Sequence, residues 1–114
     1  MKKILIVLFV VMLGLPAHAY FLNGNDLVSK MTEFEKANRS DPDTLYMYAG
    51  EYCGYIIGIL DILSVSGTIC MEGVTRGQAG AVVAKYLKDN PSRWNEPASV
   101  LVIDALKTAF PCKK

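Results

Sequence analysis

The chain has 114 residues, with 12 Lys plus Arg against 11 Asp plus Glu, a single histidine and three cysteines. That length suits one domain, and the near-neutral balance gives no electrostatic footprint for nucleic acid. A domain this small buries a limited core and benefits from a covalent staple.

The chain opens Met1-Lys2-Lys3, followed by an apolar run from Ile4 to Leu15, then Pro16 and Ala17-His18-Ala19. A short basic start, about a dozen apolar residues and small residues at alternate positions are the marks of a secretory signal peptide. The run is too short for a membrane anchor, because a spanning helix needs about 20 apolar residues. Cleavage is expected between Ala19 and Tyr20, giving a leader at 1–19 and a domain at 20–114 that has no stable membrane insertion. Removing Lys2 and Lys3 leaves ten basic residues against eleven acidic ones. The mature chain therefore carries a net charge near −1. Removing His18 leaves it without histidine, the usual general base near neutral pH. Ser-His and Cys-His nucleophile pairs are excluded, as is a zinc site that needs imidazole.

Four helices and no strand are predicted in the mature chain. The first covers about 25–37, with Leu27, Val28, Met31 and Phe34 on one face and Asn23 or Asn25 as its cap. The second is expected to begin at Asp41-Pro42, with aspartate as N-cap and proline at the first helical position. Its apolar positions run from Leu45 through Tyr52, Cys53 and Ile56 to Leu63. Glu51 and Asp61 argue against a membrane span. Gly50, Gly54 and Gly58 recur at four-residue spacing, and each glycine inside a helix costs about 1 kcal/mol relative to alanine. The expectation is close packing against another helix of the same chain, with a subunit interface as the alternative.

After a connecting segment at 64–73, Thr75 and Gln78 fit a capping box that opens the third helix, with Val74 and Ala79 as a weak hydrophobic staple. Ala79, Val82, Val83, Tyr86 and Leu87 are its expected buried face, and Asp89-Asn90-Pro91 its stop. Asn95-Glu96-Pro97 starts the fourth, whose inner face is Ala98, Leu101, Val102, Ala105, Leu106 and Ala109. Short connections imply antiparallel neighbours in a compact four-helix bundle-like domain.

In an oxidising compartment two of the three cysteines should pair. In an antiparallel bundle, helix two ends, helix three begins and helix four ends at one pole. Cys70 and Cys112 flank that pole, whereas Cys53 lies about 15 Å back along helix two at 1.5 Å per residue. The expected disulfide is Cys70–Cys112. Cys53 is then a small buried hydrophobe rather than a nucleophile, having no histidine to activate it. Three cysteines at these spacings make a poor metal site, and no cofactor is expected.

The order Asn23-Gly24-Asn25-Asp26-Leu27, Cys53-Gly54-Tyr55-Ile56-Ile57-Gly58 with Asp61, Cys70, Gly73-Val74-Thr75 with Gln78, Tyr86-Leu87, Asn90-Pro91, Pro97-Ala98 and Ala105-Leu106 with Ala109-Phe110-Pro111-Cys112 resembles the Rap/Tai family of type VI secretion immunity proteins. The resemblance implies a periplasmic, all-helical, dimeric protein. Such proteins bind a papain-like peptidoglycan amidase injected by a neighbouring cell and occlude its cleft. Many relatives carry a fourth cysteine in the first helix, where this chain has Met31. That departure agrees with an unpaired Cys53 and removes one inter-helix staple of the family pattern.

The leading expectation is an inhibitor that acts by binding. A small periplasmic acid-stress chaperone is the runner-up, since such proteins are also small and singly disulfide-bonded. An enzyme using carboxylates such as Glu51, Asp61 and Glu72 comes third. Two segments are candidates for entering an effector's cleft. One is the small, polar stretch 64–68, with Ser64, Ser66 and Thr68. The other is the stretch 90–95, with Arg93 and Trp94, residue types enriched in binding hot spots.

Overall fold

The computed structural model describes residues 20–113, so the expected leader lies outside the described residues. Four helices form: α1 (Gly24–Asn38), α2 (Tyr46–Val65), α3 (Arg76–Asp89) and α4 (Ala98–Ala109), with a 3-10 turn at Pro91–Arg93 between the last two. Among the described residues there is no strand beyond an isolated bridge between Asn23 and Pro97.

The local signals for α1 and α3 act as their chemistry dictates. The Asn23 side chain accepts the Asp26 N–H at 3.0 Å, and Asp26 accepts the Asn23 N–H at 3.0 Å. Thr75 and Gln78 exchange the same pair of bonds at 3.2 and 2.8 Å. Each box satisfies two donors that a helix start leaves open.

The start of α2 departs from expectation. The helix begins at Tyr46 rather than at Asp41-Pro42. Asp41 closes a local turn instead: its side chain accepts the Asp43 N–H at 2.9 Å, and its carbonyl accepts the Thr44 hydroxyl at 2.6 Å. An aspartate whose oxygens are engaged in a turn cannot also cap a helix. The cap comes from another helix. Glu33 on α1 accepts the Leu45 N–H at 2.8 Å and pairs with Lys36 at 2.9 Å.

Each helix packs against the other three. Leu27, Met31 and Phe34 of α1 meet Ala49, Tyr52, Ile56 and Leu60 of α2, and Val83 and Leu87 of α3 with Leu101, Val102 and Leu106 of α4 complete the core. Ala109, expected on the inner face of α4, is instead exposed as the last residue of the helix. The Tyr52 ring lies 4.9 Å from Phe34, and its buried hydroxyl donates to the Gly80 carbonyl at 2.8 Å. Burial of that hydroxyl raises its pKa far above the ordinary tyrosine value. Lys30–Glu51 and Glu33–Leu45 show that α1 and α2 run antiparallel, and Leu22 lines one open groove together with Gly54 and Tyr55. The first half of α2 is therefore flanked by α1, and its second half continues past the start of that helix.

The glycine stripe is the clearest correction. A Cβ added at Gly50, Gly54 or Gly58 would meet nothing within 4 Å, and all three are exposed. Among the described residues no helix packs there. Close approach happens elsewhere. A Cβ at Gly80 would sit 2.7 Å from the Phe34 ring, and one at Gly24 would sit 2.6 Å from the Trp94 Cα.

Candidate functional site

The far end of α2 projects as a tip. Ile62 is 71 % exposed and Val65 91 % exposed, and Ser66, Gly67 and Thr68 follow on the surface. Its shape is set by the sequence. Ser66 is the C-cap and Gly67 takes φ +73°, a left-handed conformation that glycine adopts without steric cost. The Thr68 N–H then bonds back to the Leu63 carbonyl at 2.9 Å and the Gly67 N–H to the Ser64 carbonyl at 3.0 Å. These are the two reverse bonds of a Schellman cap, and they satisfy carbonyls that a helix end leaves open. The Ser66 hydroxyl adds a bond to the Leu63 carbonyl at 3.0 Å and one with Thr68 at 2.8 Å.

Two anchors hold the tip to the domain. Ile69 is buried, 2 % exposed, and turns the chain into the core. Cys70 is bonded to Cys112 with a Cα–Cα distance of 4.8 Å, and its N–H donates to the Phe110 carbonyl at 3.0 Å. The pairing follows the shared pole expected from the helix order. The result is a rigid knob that combines small polar groups with two exposed aliphatic side chains. Ser64 lies at its base and is half-buried.

Arg93 and Trp94 stand elsewhere. The tip lies beyond the C-terminus of α4, while Trp94 precedes its N-terminus, about 18 Å away along a 12-residue helix. Arg93 is tied within the chain. It donates to Glu96 at 2.6 and 2.9 Å, to Asp104 at 2.9 Å and to the Tyr86 hydroxyl, with its guanidinium 5.8 Å from the Tyr86 ring. The hydrogen bonds from Arg93, with its charge adding to them and desolvation opposing, lower the Glu96 pKa from its ordinary value. Trp94 donates from its indole nitrogen to the Leu87 carbonyl at 2.7 Å, and its own carbonyl accepts from the Asn25 N–H at 2.9 Å. This segment clamps the α3–α4 connection onto the start of α1. A two-residue reading of Arg and Trp as surface anchors misses this, because the carboxylates that hold Arg93 lie three and eleven residues further on.

The remaining reactive groups are dispersed. Glu51 pairs with Lys30, and Asp61 stands about 15 Å further along the same helix. Glu72 is exposed in the α2–α3 connection. Cys53 is a free thiol, half-buried against the core edge, and burial pushes its pKa up despite Arg76. A thiol held protonated is a weak nucleophile. Among the described residues no group of His, Cys, Asp and Glu is placed to hold a metal ion, and no helix is long and apolar enough to cross a membrane.

A comparison with curated proteins finds no match. A comparison with protein families gives a match across nearly the whole described domain, from the α1 cap to the second disulfide cysteine. Residues 23–112 match the Rap1a immunity proteins, so the helical, disulfide-bonded chain belongs to the Rap1a immunity protein family.

Proposed function

We propose that this protein is a periplasmic immunity protein that binds an injected peptidoglycan amidase and blocks its cleft with the tip at 62–68. Membership of an immunity family gives the general role, protection against a secreted effector. The observation that carries the finer reading is the tip itself: exposed, closed by the Schellman cap of α2 and pinned by Ile69 and the disulfide. A surface ordered before contact loses little conformational entropy on binding, which favours affinity. Ser66 and Thr68 offer hydroxyls to a polar cleft, and Ile62 and Val65 offer apolar area. The action is binding rather than catalysis.

A homodimer belongs to the same proposal. Met47, Gly50, Gly54 and Gly58 all lie exposed along α2, and among the described residues no neighbour accounts for the three glycines. A second copy seated on this face would account for their cost, since small residues let two helix backbones approach closely.

Protection in cells tests the site of action. Cells receiving the amidase in the periplasm should survive when they express the full chain, and should lyse when they express a chain starting at Tyr20. Survival with the leaderless chain would contradict periplasmic action. Capture of many unrelated proteins at acidic pH, without capture of the amidase, would favour a chaperone instead.

A further inference from the structure

We propose that the Cys70–Cys112 disulfide is a thiol-accessible latch, which a dithiol reductant opens to loosen the outer of the tip's two anchors without unfolding the helical core. The inference rests on the tip being the partner-binding element. It follows from where the bond lies. Neither cysteine contributes to the buried core, which is built from residues of all four helices together with Ile69. Cys70 is exposed and immediately follows the tip's buried anchor, while Cys112 lies three residues beyond α4.

Apart from the disulfide, each of the two segments that it connects is held by side chains at the edge of the core, Met71 and Val74 on one and Phe110 on the other. The Cys70 N–H to the Phe110 carbonyl is the hydrogen bond between them among the described backbone pairs. The segment after Cys70 is a turn, with Gly73 at φ +76° and a single bond from the Val74 N–H to the Met71 carbonyl at 3.0 Å. Phe110, Pro111 and Lys113 form one wall of an open groove whose other wall is Glu72, Val74 and Gln78. The disulfide fastens this end strap. With it open, residues 70–75 and 110–113 lose their covalent tie, while α1–α4 keep their packing.

The chemistry balances with a dithiol as co-reactant. Its thiolate attacks the exposed Cys70 sulfur, the Cys70–Cys112 bond breaks, and Cys112 leaves as a thiolate that takes up a proton. The second thiol of the reductant, as thiolate, attacks its own sulfur in the mixed disulfide and releases Cys70, which is protonated in turn. Two electrons and two protons pass to the protein, and the reductant ends as its disulfide. Cys53 takes no part, because it is half-buried on α2 and belongs to the edge of the core.

The test treats the native protein with dithiothreitol and follows three readouts. Hydrogen exchange should rise in residues 70–75 and 110–113 and stay unchanged in α1, α3 and α4. Far-UV circular dichroism should keep its helical signal. Affinity for the immobilised amidase should fall about tenfold or more and return on reoxidation. The Cys70→Ser/Cys112→Ser variant should behave as the reduced protein does. Unchanged exchange in both segments, loss of the helical signal on reduction, or equal affinity of the two forms would each overturn the latch. If the oxidised protein fails to bind the amidase, the functional reading falls, and hydrogen exchange still decides the latch.

Discussion

Glu33 on α1 caps α2: its carboxylate accepts the Leu45 N–H at 2.8 Å while it also holds Lys36. The Leu45 bond is the main cause that lowers the Glu33 pKa from 4.5, the Lys36 bond adds to it, and desolvation opposes both. A carboxylate whose folded pKa is depressed stabilises the fold above its unfolded value, and that stability is lost as pH falls through the folded value. Glu33→Gln should therefore melt below the wild type at neutral pH. The gap should persist down to about pH 5 and close progressively below 4.5. Thermal melts across that range check it, and a gap that is constant down to pH 2 would contradict the assignment.

The glycines separate into two physical classes. Gly24→Ala should destabilise the protein by about 1–3 kcal/mol, because the new Cβ meets the Trp94 backbone, which cannot rotate away. Gly80→Ala should do the same, since Phe34 is fixed by its contact with Tyr52. In the monomer, at concentrations too low for association, Gly54→Ala should instead stabilise by up to about 1 kcal/mol through helix propensity. Denaturant titrations of the three variants rank them, and equal stability of Gly80→Ala and wild type would refute the packing argument.

Gly54→Leu tests the second copy. A Cβ at position 54 meets no described atom within 4 Å, so the variant should still fold as a monomer, without the concentration-dependent stability that dimerisation adds to the wild type. Light scattering should show the wild type as a dimer and this variant as a monomer. A wild-type monomer, or a variant dimer of unchanged affinity, would remove the α2 face from the account.

Much of this architecture was legible in the residues. The four helices, the Thr75–Gln78 capping box and the disulfide followed from local chemistry and from which helix ends share a pole, whereas the cap of α1 stayed open between Asn23 and Asn25 and the part played by Asp26 was not foreseen. The start of α2 was not, because Asp41-Pro42 is a good local cap and nothing nearby reveals that Glu33, twelve residues before Leu45, supplies the bond instead. The glycine stripe misled for a related reason: spacing reports that residues share a face, not which neighbour covers it. Gly80, alone among alanines and valines, carried no periodic signal although it makes the close approach. At the candidate site, the composition of 64–68 pointed to an exposed segment, and the Schellman geometry at Gly67 explains its rigidity. Arg93 and Trp94 have the residue types of a binding surface, but their polar groups are engaged within the chain.

Cys53 should be slow to react. Its half-buried thiol is held protonated above the ordinary cysteine value, so iodoacetamide at pH 8 should label it more slowly in the native protein than after unfolding. Cys53→Ala should leave effector binding unchanged. Native labelling as fast as in the unfolded chain would show an activated thiol.

The central claim is that the tip of α2 blocks an amidase. The most direct measurement is a titration of the cognate papain-like peptidoglycan amidase with the mature protein, following hydrolysis of a peptidoglycan stem peptide. Inhibition should rise linearly and reach completion at one tip per enzyme, with no hydrolysis by the protein alone. Val65→Arg should keep the helical signal and lose inhibition, because Val65 is exposed and contributes nothing to the core. Full inhibition by a folded Val65→Arg variant would contradict the role assigned to the tip.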